Sequence, residues 1–331
     1  MEYPNVKNAH IVPRTYLANW AVDGKIGTWL VREQKRLVDQ PVENVGTRYR
    51  FYARERPGTG ETINDVEWSL GQGEDAATPL LRSFAERWPL TINEKVQLAE
   101  LFAYQVLRGP RWKTQYEEAT REFLEEWAAE HEPADESADE AGALLLGNSY
   151  RLTRMFMTAL TTTSVFASMH WTLVAFERPL IATCDEPVVA WGGSDSHPPR
   201  AFDIHRSGIL ECIEIRLPLS PRHAVLMTWT DKADDEEVRL AGTRDHASNF
   251  NAFTVASADR QWFHLPGRPP PRGSGRLLPL STQIVSGYTL EAAAASARRQ
   301  RASEIANRKI GRQLDDREVE IVTVNRTSLD R

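Results

Sequence analysis

The sequence predicts an α+β protein in which a helical N-terminal half packs with a mostly antiparallel sheet from the C-terminal half. Three observations carry this expectation. Apolar residues recur at helical intervals over 92–106, 112–127 and 152–163. Thr91-Ile92-Asn93-Glu94 has the Ser/Thr-x-x-Glu form of a capping box. Between Trp171 and Trp229 the texture changes to short β-branched and aromatic runs broken by Pro, Gly and Asp.

In chain order, Asp23-Gly24 is a turn signal, and residues 25–33, with Ile26, Trp29 and Val31, read as the start of a β-ribbon. Thr62-Ile63-Asn64-Asp65 reads as a capped helix start. The helix after Thr91 carries Ile92, Val96, Ala99, Ala103 and Val106 on one stripe, and Pro110 ends or kinks it. Trp112, Tyr116, Thr120, Phe123 and Trp127 mark a third helix. Residues 130–142 read as an exposed acidic loop, and Leu152, Phe156, Ala159 and Thr163 mark a helix over 149–169. Strands are expected at 171–176, 180–183, 188–191, 209–217 and 224–229. A helix over 245–259, with Asn249, Phe253 and Ala256 on one face, and a strand at 261–265 close a single domain spanning 1–265. Residues 266–331 read as a Pro/Gly/Arg linker, a basic helical tail at 290–310 and a strand at 318–324.

The chain has 331 residues, 46 acidic and 40 basic side chains, a net charge of -6 and 41% hydrophobic residues. That balance, with ten Trp, eleven Phe and eight Tyr, excludes disorder throughout. The longest apolar runs fall far short of the roughly 20 residues a membrane span needs, and no secretory signal opens the chain, so a cytoplasmic protein without a membrane partner is expected. Two cysteines, Cys184 and Cys212, exclude a disulfide framework and an all-cysteine zinc site. The mean charge hides an asymmetry: residues 117–140 hold eleven acidic side chains and one basic one, whereas 266–312 hold nine Arg or Lys and two Glu. A polyanion can be bound locally by such a chain.

Phosphate-loop, dinucleotide, zinc-protease and nucleophile-elbow motifs are absent. What remains are constellations. Glu67 and Glu74 lie seven residues apart, about 20° apart around a helix axis, with Gly71 between them. Such a pair suits a guanidinium, an ammonium, a metal or a proton, and spacing alone does not separate it from two solvated surface carboxylates. Gly71 inside a helix suggests that a ligand or another backbone comes close. Gln105 and Arg108 share a partly buried face, where an Arg needs a carboxylate or a ligand anion. Thr183-Cys184-Asp185-Glu186-Pro187 sits at a strand end, where binding loops commonly lie. His10 is a candidate general base.

These pieces together resemble the family known as domain of unknown function 4238. The resemblance rests on His10, Pro13, Tyr16 and Leu17; on Phe51-Tyr52 before Glu67 and Glu74; on Gln105, Arg108 and Pro110; and on Thr183 to Pro187, Pro218 to Pro221 and Asn249 to Asn251. It covers residues 10–265. Cys184 and Glu186 depart from the family's usual Ser and Asn. The resemblance implies an arginine-containing cyclodipeptide synthase, which joins arginine from arginyl-transfer RNA to a second aminoacyl group and needs neither cofactor nor metal. It further implies that Glu67 and Glu74 hold the guanidinium and that His10 takes the proton. Tyr16, Gln105 or Arg108 would donate to the oxyanion, and Arg108, Arg111, Lys113, Arg298, Arg299 and Arg301 would meet RNA. Asp185 is a further catalytic candidate, and with His10, Glu67 and Glu74 it forms the alternative of a metal-dependent nuclease or hydrolase. A non-catalytic RNA-binding module is the third reading.

Overall fold

The computed structural model describes residues 7–55, 62–63, 65–130, 142–191, 212, 214–229 and 238–268. β1 (Asn8–His10) leads into one helical turn, α1 (Arg14–Leu17), followed by β2 (Lys25–Leu30), β3 (Lys35–Arg36), β4 (Gln40–Pro41), β5 (Thr47–Tyr49), β6 (Arg54–Glu55) and β7 (Thr62–Ile63). The helical region is α2 (Asp65–Ser83), α3 (Ile92–Leu107), α4 (Pro110–Glu130) and α5 (Asn148–Ser168). Then come β8 (His170–Ala175), β9 (Thr183–Cys184), β10 (Val189–Trp191), β11 (Glu214–Ser220), β12 (His223–Thr228), β13 (Val238–Ala241), α6 (Arg244–Ser257) and β14 (Gln261–His264).

The α+β class and the antiparallel sheets are as expected. One five-stranded sheet runs β10-β11-β12-β8-β13, antiparallel except where β13 lies parallel to β8. The second runs β3-β2-β14-β9, with β4 also on β2. Here Trp262 of β14 pairs with Trp29 of β2 on one side and with Cys184 of β9 on the other, so the N-terminal ribbon is completed by C-terminal strands. The two halves of the sequence therefore interleave.

Helix starts and stops follow local chemistry. Thr91 and Glu94 close the expected capping box on α3. Pro110 ends no helix interior; it stands at the first position of α4, where a missing N–H costs nothing. The pair Thr62–Ile63 differs from expectation: it is a strand paired to Arg54–Glu55, and α2 begins at Asp65. On α3 the buried face is Leu98, Ala99, Leu101, Phe102, Ala103, Val106 and Leu107, while Ile92 and Val96 are exposed. This face packs against α2 and α5 and under β8, where Phe102 stacks on Trp171 at 5.7 Å. Phe123 and Trp127 are exposed, so the α4 stripe leaves the core after Tyr116. On α6 the buried residues are Ala247, Phe250, Asn251, Phe253, Thr254 and Ser257, and Ala256 faces outward. Most of the expected acidic loop, the tail helix and the final strand lie outside the described residues. Among the described residues no helix is long and apolar enough to cross a membrane.

Tyr16 joins the layers. Its hydroxyl donates to the Pro218 carbonyl of β11 at 2.5 Å and lies 2.8 Å from Thr183 Oγ1 of β9, so one side chain of α1 touches both sheets. Burial pushes its pKa well up, which keeps the phenol protonated. Trp20 adds a parallel tie through Nε1 to the Ile181 carbonyl at 2.9 Å. Tyr16→Phe leaves a buried carbonyl short of a donor, and we expect it to lower unfolding free energy by about 1–3 kcal/mol in urea titrations.

Candidate functional site

Four of the sequence-selected residues meet where β1, α2 and the end of α3 converge. The β1–β5 pairing, with His10 opposite Thr47, sets His10 against the first turns of α2. Its backbone N–H donates to Glu67 Oε1 at 3.1 Å, and its ring Nδ1 lies 4.0 Å from the same oxygen. Two turns along α2, Glu74 is ion-paired with Arg108 Nη1. Arg108 also donates from Nη2 to the His10 carbonyl at 2.5 Å and from Nε to the Tyr52 hydroxyl at 3.0 Å. The Tyr52 hydroxyl in turn donates to the Arg108 carbonyl at 3.2 Å. Beside them, Gln105 Nε2 donates to the Ile11 carbonyl at 3.0 Å.

The charges in this corner are unequal. Burial works against the Arg108 cation, but Glu74 and Tyr52 more than offset it and raise its pKa. The two carboxylates are therefore not equivalent: Glu74 is neutralised by the protein's own arginine, and only Glu67 retains unpaired charge. Burial raises the Glu67 pKa, with Glu74 adding to it, against the His10 N–H and Arg108. Burial, followed by the Arg14 and Arg108 charges, lowers His10 to about 4, so its ring is neutral at physiological pH. A main-chain hydrogen bond at Glu43 works against that lowering, and Nε2 is an acceptor in the tautomer that carries its proton on Nδ1.

Three buried atoms here have no hydrogen-bond partner among the described residues: His10 Nε2, Glu67 Oε2 and Gln105 Oε1. Both oxygens are acceptors, and His10 Nε2 is one in the Nδ1-protonated tautomer. Leaving one such atom buried and unpaired costs about 1–3 kcal/mol, and the three stand on neighbouring pieces of chain, on β1, α2 and α3. A Cβ built on Gly71 would meet no atom within 4 Å. The close approach expected at that glycine is therefore made by no atom of the described residues.

The remaining candidates are committed elsewhere. Tyr16 holds the two sheets together, so it offers no donor to this corner. Asp185 accepts from the backbone N–H groups of Asp259, Arg260 and Gln261 at 2.9, 2.9 and 3.1 Å and from Arg48 Nη2 at 2.9 Å. It clamps the end of β9 to the turn before β14. Arg48 also bonds Asp259 at 2.8 Å. Cys184 is fully buried, and burial with the Asp185 charge pushes its thiol well up, which leaves it inert. Arg111 bonds the Ser257 hydroxyl and carbonyl at 3.2 and 2.8 Å, and Lys113 pairs with Glu117. Arg298, Arg299 and Arg301 lie outside the described residues. Among the described residues no three His, Cys, Asp or Glu side chains form a metal-holding group, so His10, Glu67, Glu74 and Asp185 do not assemble as the metal-dependent alternative requires.

Two groups were not singled out as site residues from the sequence. Tyr52 entered only as part of a motif, yet its hydroxyl locks the Arg108 guanidinium. Glu186 caps α4 by accepting from the Arg111 N–H at 3.0 Å, and burial raises its pKa to about 8. Gly109 makes this possible, because a Cβ there would stand 2.4 Å from the Glu186 carboxylate.

A family profile described as protein of unknown function (DUF4238) matches residues 8–267. No curated protein and no solved structure matches the chain.

Two outcomes follow from the geometry. Glu74→Gln strands the buried Arg108 charge and lowers stability by roughly 3 kcal/mol in denaturant melts, whereas Glu67→Gln, which breaks no ion pair with Arg108, costs less than half of that. The unfolded chain protonates His10 near pH 6.5 and the folded chain only near 4, so the His10 contribution to stability is lost as pH falls through that window. Thermal melts of His10→Gln then decline less steeply than wild type between those values, and parallel curves would contradict the buried, neutral ring.

Proposed function

We propose, from the premise that this chain belongs to the DUF4238 family of proteins of unknown function, that it is a transfer-RNA-dependent cyclodipeptide synthase. It joins arginine from arginyl-transfer RNA to a second aminoacyl group. The observation that carries this reading is the trio of buried atoms without a described partner, His10 Nε2, Glu67 Oε2 and Gln105 Oε1, the second on a carboxylate that no arginine among the described residues pairs with. A guanidinium is planar, permanently charged and has five N–H donors, which matches a set of acceptors and no donors. Glu67 supplies the charge-assisted contact, and His10 and Gln105 accept the remaining N–H groups. Glu74, first grouped with Glu67 as a guanidinium ligand, instead orients Arg108.

The reaction asks little more of the protein. Both amino acids arrive as esters, already activated. The free α-amine of one attacks the ester carbonyl of the other, forming an amide and releasing a ribose hydroxyl, and a second attack closes the ring and releases the second transfer RNA. With an α-amine pKa near 8, about a tenth is already unprotonated at pH 7. His10, held near 4, is a poor base and serves as an acceptor for the substrate.

The direct test is to incubate the purified chain with arginyl-transfer RNA and each of the twenty second aminoacyl-transfer RNAs, reading cyclic dipeptides by mass spectrometry. An arginine-containing product is expected with at least one partner, and Glu67→Gln reduces it at least tenfold with a smaller loss of stability than Glu74→Gln. Absence of product with all twenty would refute the reading.

A further inference from the structure

A second polar site lies at the other end of α2. Arg82 is fifteen residues beyond Glu67, about 22 Å along the axis at 1.5 Å per residue. There the helix end, β12 and the edge strand β13 enclose a cavity of about 270 Å³, walled by Asn19, Arg82, Phe84, Ser220, His223 and Arg239. Each side chain comes from a different local constraint. Arg239 stands on β13 and donates from Nη1 to the Ala85 carbonyl at 3.1 Å, which draws its guanidinium across the helix end. His223 Nδ1 lies 3.0 Å from Ser220 Oγ, which also accepts from the Arg222 N–H at 3.2 Å, and the ring meets the edge of Phe84 at 5.6 Å. Asn19 Nδ2 is held by the Leu219 carbonyl at 2.8 Å. The wall therefore joins hydrogen-bonded nitrogen groups from β12, β13 and the segment after α1 to the exposed guanidinium of Arg82 on α2.

Its charge balance is positive. Among the described residues neither Arg82 nor Arg239 has a carboxylate within 4.0 Å, although Glu86 also borders the cavity. Arg82 in the last turn of α2 offsets the negative helix end, which is an ordinary structural role. One cation suffices for that, and Arg239 comes from a separate element. After burial, the Arg239 and Arg222 charges are what lower the His223 pKa, which marks the cavity as a positive region. A concave wall of this sign concentrates anions, and two guanidinium groups suit the oxygens of a phosphate.

We propose that this cavity is a phosphate-binding subsite formed by Arg82 and Arg239, with Asn19 and His223 as neighbouring polar groups. The phosphate can belong to an RNA strand, in which case the subsite holds the strand at a distance from the acceptor cluster, or to a free phosphorylated molecule. The first case rests on the reading of that cluster as an aminoacyl site; binding of phosphate itself does not.

Calorimetric titration of the full chain separates these cases, using inorganic phosphate in one arm and a short single-stranded RNA ending in cytidine-cytidine-adenosine in the other. The double variant Arg82→Met/Arg239→Met is compared with Arg32→Met/Arg121→Met, which removes the same charge from exposed positions elsewhere. The expected result is binding of at least one probe that weakens tenfold or more in the first double variant and less than twofold in the second, with Glu67→Gln unchanged toward phosphate. Binding of phosphate in preference to RNA assigns the site to a free phosphorylated molecule, and the reverse assigns it to an RNA backbone. Binding of neither probe, or equal loss in both double variants, overturns the subsite.

Discussion

The guanidinium of Arg108 is the constraint on which the rest of the corner depends. Its three nitrogens reach three separate pieces of chain: Glu74 on α2, the His10 carbonyl on β1 and the Tyr52 hydroxyl in the segment after β5. None of those pieces is held by apolar contact alone in the orientation the site needs. A lysine has the charge but not the planar fork, so it could not address three directions at once. Because Arg108 is buried, the interaction is nearly unscreened and its removal would leave Glu74 and two main-chain or phenolic oxygens short of a donor. Arg108 also divides the labour between the two glutamates, consuming the charge of Glu74 and leaving that of Glu67 available.

Much of this fold is legible in the sequence because its signals are local. The Thr91/Glu94 box and the helical stripe on 152–163 both report a structure formed within a few residues. Thr62–Ile63 misleads for the same reason: its residues suit a helix cap, but pairing with Arg54–Glu55 is a contact made across intervening chain, and local propensity does not encode it. The interleaving of β2 with β14 is likewise a long-range pairing, across more than two hundred residues, that alternation alone does not specify.

The site follows the same division. Helical spacing identifies Glu67 and Glu74 as sharing a face, and the buried face of α3 identifies Arg108 as a cation in need of an anion. Spacing cannot say which glutamate Arg108 takes, and that choice decides the chemistry. Asp185 and Tyr16 look like site residues because polar groups near strand ends and in recurrent motifs commonly are. Both are buried and bonded on every side the structure describes, and their polarity serves the joining of elements. Glu186 gives the opposite lesson: an ordinary-looking acid becomes a high-pKa helix cap only because Gly109 leaves room beside it.

The segment from His10 to Trp20 has a dynamic consequence. It carries the acceptor of the candidate site at one end and, within ten residues, the two aromatic groups that tie α1 to both sheets. Such a segment has no hinge of its own: releasing His10 by local opening also requires breaking the Arg108 contact on its carbonyl, and releasing more of it unpins both sheets. Freedom to move lies instead in the opposite wall, on α2, where a side chain at Gly71 would meet no described atom and Pro79 interrupts the helix ladder. The N-terminal wall is the fixed anvil of the site, tied to both sheets by Tyr16 and to α3 by Arg108.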